Sequence, residues 1–367
     1  MKLGWIASIT ITLCLMGLIA GKWNQIHTSY VPYTDQLTSS RVINTFLETR
    51  LPQDLQDSSQ ILVGLFVEAL NFVTPNDVAV SGYIWQVVPA MESWDIKTGI
   101  IFPDAVGEVT LDYAYEEQRR GRKVMGWAFE AVLRQPFIYR DYPLDHKTVW
   151  VRLWPKEFNR PVLLVPDLDS YTSTRETDSF GISRNIVLKG WDINESFFNY
   201  KFAKYDTNFG LSRASVKNRL PELHFNIVLN RKLFNAFFIN ITLLIVSMTL
   251  LYSLVIMITS DMDKKSEFEI SVGGAVGTCS GLFFAVLLAH IHLRESFPGS
   301  GVAYMEYFYL ISYIFILGSA ALIYLFYKDG KPNENGILCK DAICFKLAFW
   351  PGYFGTIYGA TLVHFAV

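Results

Sequence analysis

Long stretches without charged residues in the C-terminal part of this chain constrain its fold more than any other feature. Residues 233–260 and 307–327 contain no charged side chain, while residues 270–293 carry only two histidines and residues 347–367 only one. A helix needs about 20 apolar residues to cross a bilayer, so each stretch is long enough. The sequence therefore predicts four transmembrane helices, at about residues 235–259, 270–293, 303–327 and 347–367.

A further apolar stretch, Leu3–Gly21, follows the single Lys2. Its length lies between that of a signal peptide and that of a membrane anchor, so residues 1–21 fit either interpretation. Lysines in the loops 261–269 and 328–346 predict that both loops are cytoplasmic, because positively charged loops stay inside. We therefore expect a multi-pass protein of the cell inner membrane whose large N-terminal domain lies in the periplasm.

Composition and motifs exclude two broad classes of function. Charged residues make up only 18% of the chain and the net charge is −2, so no basic patch predicts a nucleic-acid partner. Cys339 and Cys344 are not accompanied by a second cysteine pair, which makes them a weak metal motif. With no catalytic triad and no phosphate-binding loop, we expect no enzyme, no metal and no cofactor.

The exported part predicts a β-rich domain. Residues 22–57 contain a short helix, and residues 58–232 read as strands separated by turns, with the apolar alternation of Ile61–Ala69 followed by Val78–Val88. The further predicted strands are Gly121–Leu133, Thr148–Trp154, Asn185–Trp191, Phe197–Tyr205 and Leu223–Leu229. This pattern predicts an all-β, immunoglobulin-like extracytoplasmic sandwich, followed over residues 233–367 by an α-helical bundle of four transmembrane helices.

One of these strands has two different faces. In Thr148–Trp154, the residues Val149, Val151 and Leu153 alternate with two tryptophans that flank an arginine. The apolar set predicts the core-facing side of the strand, because successive side chains of a strand point to opposite faces.

Several short motifs follow one another along residues 58–367. They are the strand pair Ile61–Val67 and Tyr83–Gln86, the element Phe102-Pro103-Asp104, the loop Tyr142-Pro143-Leu144-Asp145, the stretch Gly190–Ile193, and Arg231 before the first span. Together with the four closing helices, these motifs resemble the layout of the pentameric ligand-gated ion channel family. The cysteines of the family's signature loop are absent here, as in its bacterial members, and the first span lacks the family's usual proline.

The resemblance implies a homopentamer in membrane lipid, with a small-molecule ligand bound between the β-sandwiches of neighbouring subunits. It also implies a cation-selective pore that is lined by five copies of the second helix. The predicted pore residues are Glu269, Gly273, Gly277, Ser280, Phe284 and Leu287. A ring of Glu269 carboxylates at the cytoplasmic mouth would concentrate cations, and Phe284 with Leu287 would form an apolar constriction.

The second helix also permits a different interpretation. Small residues recur at every fourth position, namely Gly273, Gly277, Gly281, Ala285 and Ala289. Such rows let helix backbones pack closely in lipid, without any pore. Both interpretations stay open at the level of the sequence.

The resemblance also points to ligand-binding and coupling residues. Trp85 falls where the family places an aromatic residue of the ligand pocket, and Trp127, Trp191 and Tyr205 are further candidates, because aromatic faces attract cations. The alternative is that these rings fill the core or an interface. The predicted coupling residues, at the membrane-facing end of the sandwich, are Tyr142, Pro143, Asp145, Arg231 and Pro298.

An ion pair between Asp145 and Arg231 would link the domain to the helices, whereas a turn aspartate in water is the simpler interpretation of Asp145. The sequence thus predicts a ligand-gated channel homologue. The alternative is a non-conducting membrane sensor or scaffold that keeps the sandwich and the helices but signals through partner proteins.

Overall fold

The computed structural model describes residues 2–29, 33–51, 53–55, 58–91, 94–175, 179–210, 220–261, 271–297, 301–327 and 340–366. The chain divides into two compact units. The β unit comprises Val31–Phe137 and His146–Arg231, and the helical unit comprises Met1–Tyr30, Ile138–Asp145 and Lys232–Val367.

Besides two short 3-10 helices, the β unit contains one α-helix and nine strands among its described residues. They are α2 (Ser40–Arg50), β1 (Ser59–Phe72), β2 (Asp77–Pro89), β3 (Ile100–Ile101), β4 (Thr110–Arg119), β5 (Arg122–Arg134), β6 (His146–Pro155), β7 (Val162–Pro166), β8 (Trp191–Lys201) and β9 (Glu222–Arg231). A five-stranded sheet has the order β4-β5-β2-β1-β7, and a four-stranded sheet has the order β3-β6-β9-β8. Only the β1–β7 pair is parallel, so the five-stranded sheet is mixed.

The strands form because apolar residues alternate with polar ones along them. Buried and less buried side chains alternate strictly along β6, and nearly so along β2. The buried side chains of both sheets, such as Ile61, Ile84, Val151 and Phe225, belong to one hydrophobic core. The β-rich domain expected from the sequence is therefore present.

Two details of the predicted strands are wrong. The predicted strand Asn185–Trp191 does not form, because the backbone turns at Gly190, where φ is +82°, and β8 begins only at Trp191. The sequence prediction also missed the short strands β3 and β7 and the polar strand β4, whose hairpin to β5 turns at Arg120 and Gly121, both with positive φ. Polar edge strands carry little of the apolar alternation that identifies a strand.

The helical unit contains five long helices among its described residues. They are α1 (Lys2–Thr28), α3 (Leu233–Ile256), α4 (Val272–Glu295), α5 (Tyr304–Tyr327) and α6 (Ile343–Phe365). Four of these are long and apolar enough to cross a membrane: α1, residues Ala236–Ile256 of α3, α4 and α5. They indicate a membrane protein, and α6 forms where the sequence predicts the last span.

Each helix has a defined place in the helical unit. One face of α4 packs against α3 and α5, and α6 packs against α5, α3 and α1. The α1 helix is held along α6, where the Ser8 hydroxyl donates to the Leu347 carbonyl over 2.6 Å. Nearer its C-terminal end, the Trp23 indole donates to the Tyr304 hydroxyl over 2.7 Å.

Candidate functional site

The face of β6 that points away from the core carries the most elaborate polar cluster of the β unit. Strand alternation buries Val149 and Val151 in the core and leaves Trp150, Arg152 and Trp154 half-buried on the opposite face. The ladder with β9 then places Arg152 directly opposite His224. Three neighbouring strands, β6, β9 and β8, thus supply the side chains of one site.

Arg152 is held in a fixed position by two carboxylates. Its Nε donates to Glu222 Oε2 over 2.6 Å and its Nη1 to Asp104 Oδ1 over 3.1 Å. Its Nη2 donates to the hydroxyl of Tyr205, which in turn donates to Glu222 Oε1 over 2.5 Å. Burial, together with Glu222, raises the pKa of Tyr205, so the phenol keeps its proton and remains a donor.

Aromatic rings surround the guanidinium of Arg152. Its central carbon lies 5.2 Å from the ring centre of Trp154 and 6.0 Å from that of Tyr205. Trp154, Phe158, Tyr205 and Phe209 contact one another edge to face, with ring centres 5.3–6.1 Å apart. The cluster is an aromatic box that contains a cation supplied by the chain itself.

A cavity of about 340 Å³ opens beside this box. Its lining combines aromatic or apolar walls with charged side chains from β5, β6, β8 and β9. The lining residues are Asp104, Arg134, Pro136, Trp150, Arg152, Lys201, Phe202, Ala203, Glu222 and His224. Most of these lining residues are charged or carry an imidazole, so a small molecule in the cavity would meet mainly polar side chains.

His224 is the least satisfied polar group of the cavity. Its side chain is buried, and among the described residues its Nδ1 atom has no hydrogen-bond partner. Burial, together with the nearby positive charges of Lys201 and Arg152, lowers the pKa of His224 to about 3. The imidazole is therefore neutral at physiological pH and keeps one nitrogen available for a ligand.

Comparison with known proteins does not identify a family for this chain. No protein-family model matches it, and no curated protein matches it. What the cavity can bind therefore has to follow from the residues that line it.

Two of the four ligand-binding residues predicted from the sequence lie near polar partners. Tyr205 belongs to the aromatic box beside the cavity. Trp85 lies half-buried on β2 over Gly64, and its indole donates to Asp167 Oδ2 over 2.9 Å. The hydroxyl of Ser170 donates to the same oxygen over 2.5 Å, so the acidic turn after β7 is already occupied by donors of the chain.

The other two predicted residues are buried. Trp127 packs edge-on against Tyr113, with ring centres 6.1 Å apart. Trp191 stacks on Phe72 at 5.3 Å, and the guanidinium carbon of Arg231 lies 4.0 Å from its ring centre. Within one chain these surroundings are those of core residues, and a ligand role for Trp127 or Trp191 stays a prediction.

Sequence reasoning missed the most important residues of the cavity. A signal for Trp150, Arg152 and Trp154 was present, because the strand pattern already placed the two tryptophans and the arginine on one face away from the core. Lys201 and His224 had no such signal. They reach the cavity only because β9 pairs with β6 on one side and with β8 on the other, and strand order is not visible in the sequence.

The predicted pore residues on α4 point away from the rest of the chain. Ser271 caps the helix by accepting from the Gly274 amide over 2.9 Å, which sets its start immediately after residues 262–270. Residues Ala275, Cys279, Val286 and Leu293 form its buried face. Gly273, Gly277, Ser280 and Phe284 are exposed, Leu287 is half-buried, and Glu269 lies outside the described residues.

The predicted coupling loop belongs to the helical unit. Residues 138–145 dock at one end of the helices, where the Tyr304 amide donates to the Arg140 carbonyl over 2.7 Å. The rings of Tyr139 and Tyr142 lie 4.4 and 4.7 Å from that of Phe297.

The docked loop also contacts the C-terminal end of α6. His364 Nε2 lies 2.9 Å from Asp141 Oδ1. The peptide bond before Pro143 is cis, and Asp145 is buried. Pro298 lies outside the described residues, and Arg231 belongs to the β unit, so its pairing with Asp145 stays a prediction.

Proposed function

We propose that this chain is one subunit of a homopentameric, ligand-gated cation channel of a bacterial inner membrane, with its β unit in the periplasm. The order of the elements supports this proposal. The β1–β2 pair, the loop 138–145, the strand β6 and the helices α3 to α6 follow one another as in the family that the sequence resembles. The two sheets with their shared core would form the immunoglobulin-like sandwich.

The main observation that supports the proposed channel is the exposed outward face of α4. Apart from the helix itself, no described atom lies within 4 Å of a Cβ placed on Gly273, Gly277 or Gly281. Phe284, on the same side, is 62% exposed although it lies in the middle of an apolar helix. A helix that packs on α3 and α5 with one face, and leaves the opposite face open, is suited to line a central pore between copies.

The docked loop supplies a route by which ligand binding would reach the helices. Residues 138–145 connect β5 to β6 along the chain, and β6 carries the arginine of the candidate ligand site. The same residues bond to the first turn of α5 and to the end of α6. A displacement of β6 on ligand binding would therefore be passed along the chain to this loop.

Substitutions of Asp145 and Arg231 test this route. Buried charges are costly when unpaired, so the single replacements Asp145→Ala and Arg231→Ala should each impair gating. If the two side chains interact, the effects in a double-mutant cycle will not add. Simple additivity in both stability and gating would reject the pair.

The oligomeric state tests the proposal as a whole. Native mass measurement of the detergent-solubilised chain should give five copies, and an image of the particle should place α4 around the axis. A monomer or dimer would contradict the channel. Planar-bilayer recordings should then show cation current, and the absence of current from a pentamer would favour the alternative below.

The alternative function is a non-conducting sensor that signals through a partner protein. The outward row of Gly273, Gly277 and Gly281 favours it, because bare glycine faces let two helices approach closely in lipid. In that case the row would be covered by a second copy or a partner, and replacing its glycines would disrupt assembly rather than current.

A further inference from the structure

We infer that the cavity beside Arg152 binds a small organic anion, a monocarboxylate, between the ammonium of Lys201 and the imidazole of His224. The inference rests on the proposed function in that it names the ligand class of the same site. It differs from the cationic ligand that the aromatic residues alone would favour.

The position that a cationic ligand would take is already filled. Aromatic boxes bind cations through the faces of their rings, and here the guanidinium of Arg152 lies 5.2 Å from Trp154 and 6.0 Å from Tyr205. An amine could enter only by displacing a side chain that has three hydrogen bonds to fixed partners.

The carboxylates of the cavity are also satisfied. Both oxygens of Glu222 accept hydrogen bonds, from Arg152 and from Tyr205. Both oxygens of Asp104 do so as well, from Arg152 and from the Trp150 indole over 3.0 Å. A cationic ligand would therefore have to compete with existing donors for every acidic oxygen in the lining.

Two polar groups of the lining have incomplete polar partners among the described residues. Among the described residues Lys201 has no carboxylate partner, and its ammonium lies 5.6 Å from the ring centre of Trp150. His224 is only 6% exposed, and no described atom bonds to its Nδ1. An ammonium beside a neutral imidazole is a suitable pair of donors for one carboxylate.

Charge and shape favour the same class of ligand. Three cationic side chains, Arg134, Arg152 and Lys201, face the cavity together with two carboxylates. Trp150 and Phe202 form apolar walls, and the volume of about 340 Å³ is at the small end of ligand pockets. A carboxylate with a compact apolar or aromatic body matches this lining.

Binding measurements on the full-length chain in detergent test the inference, with benzoate as the probe. Benzylamine has the same ring and the opposite charge, so it serves as the matched control ligand. Calorimetry should show saturable binding of benzoate and none of benzylamine. The variant Lys201→Met should weaken benzoate binding about tenfold, because it removes the cation of the lining that has no carboxylate partner among the described residues.

Two further variants sharpen the test. Lys189→Met removes an exposed lysine that precedes β8, at the opposite end of that strand from Lys201, and should leave benzoate binding unchanged. His224→Phe should also weaken binding, and its melting temperature checks that it folds. The inference is overturned if benzylamine binds instead, if Lys201→Met binds benzoate like the wild type, or if benzoate shows no saturable binding up to about 10 mM.

This outcome is independent of the oligomeric state. A conducting pentamer that does not bind benzoate would overturn the ligand class alone. A monomer that binds benzoate through Lys201 would overturn the channel alone.

Discussion

The polar face of β6 and the outward face of α4 differ in how far the chain satisfies them by itself. On β6, Arg152 has hydrogen-bond partners for Nε, Nη1 and Nη2, and aromatic rings close around it. On α4, Gly277 and Phe284 face outward, and nothing else in the described chain lies within 4 Å of a Cβ placed on Gly277. The first face is complete within one chain, whereas the second needs lipid, a pore or another copy.

Substitutions on the two faces should therefore change different properties of the protein. A change on β6 acts on the stability and ligand binding of a single chain, because the partners of Arg152 all belong to the same chain. A change on the outward face of α4 leaves the fold of the chain intact and acts on whatever covers that face. The predictions below use this contrast, beginning with the substitution whose effect is largest.

Replacing Gly277 with Leu should abolish current and leave the pentamer intact, because five leucines would fill the axis that five glycines leave open. The measurement is planar-bilayer current together with native mass. Gly318→Leu is the matched control, since Gly318 is an exposed glycine on α5 that also has no described atom within 4 Å. If Gly277→Leu instead dissociates the oligomer while Gly318→Leu does not, the row serves packing, as the sensor alternative requires.

Replacing Arg152 with Met should destabilise the β unit by about 3 kcal/mol, because Asp104 and Glu222 would lose the cation between them. The expected result is a fall of about 10 °C in the melting temperature of the full-length chain. Arg160→Met is the control: Arg160 pairs with Asp95, but the two side chains are 50% and 68% exposed, so no measurable shift is expected. Equal shifts in both variants would show that the Arg152 network does not stabilise the unit.

Acidification should destabilise the β unit through His224. Its folded-state pKa is lowered to about 3, from an ordinary value of 6.5. As the pH falls below 6.5, His224 becomes protonated in the unfolded chain but stays neutral in the folded chain. The free energy of unfolding therefore decreases between pH 6.5 and 3. Between pH 6.5 and 5 the loss through this residue is about 2 kcal/mol.

The variant His224→Gln tests this expectation by removing the titrating group. Its stability should depend less on pH than that of the wild type over the same range, in denaturant titrations at pH 7, 6 and 5. Identical pH profiles for the two proteins would mean that the imidazole titrates normally in the folded chain.

Much of the fold follows from local patterns in the sequence. The helices α3 to α6 form within a few residues of the predicted spans, since uncharged runs of this length have no soluble alternative. The long strands β1, β2, β5 and β6 follow their apolar alternation. The polar strand β4 and the start of β8 were not predictable, because they depend on pairing and on a glycine with positive φ rather than on alternation.

The site was predictable only in part, for the same physical reason. Side chains that alternate on one strand, such as Trp150 and Arg152, are placed together by the sequence itself. The approach of Asp104, Lys201 and His224 to that strand depends on loops and on non-local pairing. The sequence shows the aromatic rings, but it does not show that Arg152 lies beside those of Trp154 and Tyr205.

The last prediction concerns Glu269 and Phe284, which the channel proposal places at the inner mouth and near the gate. Glu269 lies outside the described residues, three positions before α4 begins, and Phe284 lies about 18 Å along the helix axis from Val272, the first residue of α4. Five carboxylates around a narrow mouth attract cations, and a ring of phenylalanines can block ions by excluding water. Glu269→Gln should therefore lower the cation-to-anion permeability ratio by a few fold.

Phe284→Ala should raise the resting leak in the same bilayer recordings. Leu317→Ala is its control, because Leu317 is 59% exposed on α5, outside the predicted pore helix, and loses a similar apolar surface. A leak in Phe284→Ala alone would locate the gate on α4, whereas equal leaks in both variants would point to a general loosening of the helices. If neither variant changes the current and Glu269→Gln leaves the selectivity unchanged, the outward face of α4 is not the ion pathway.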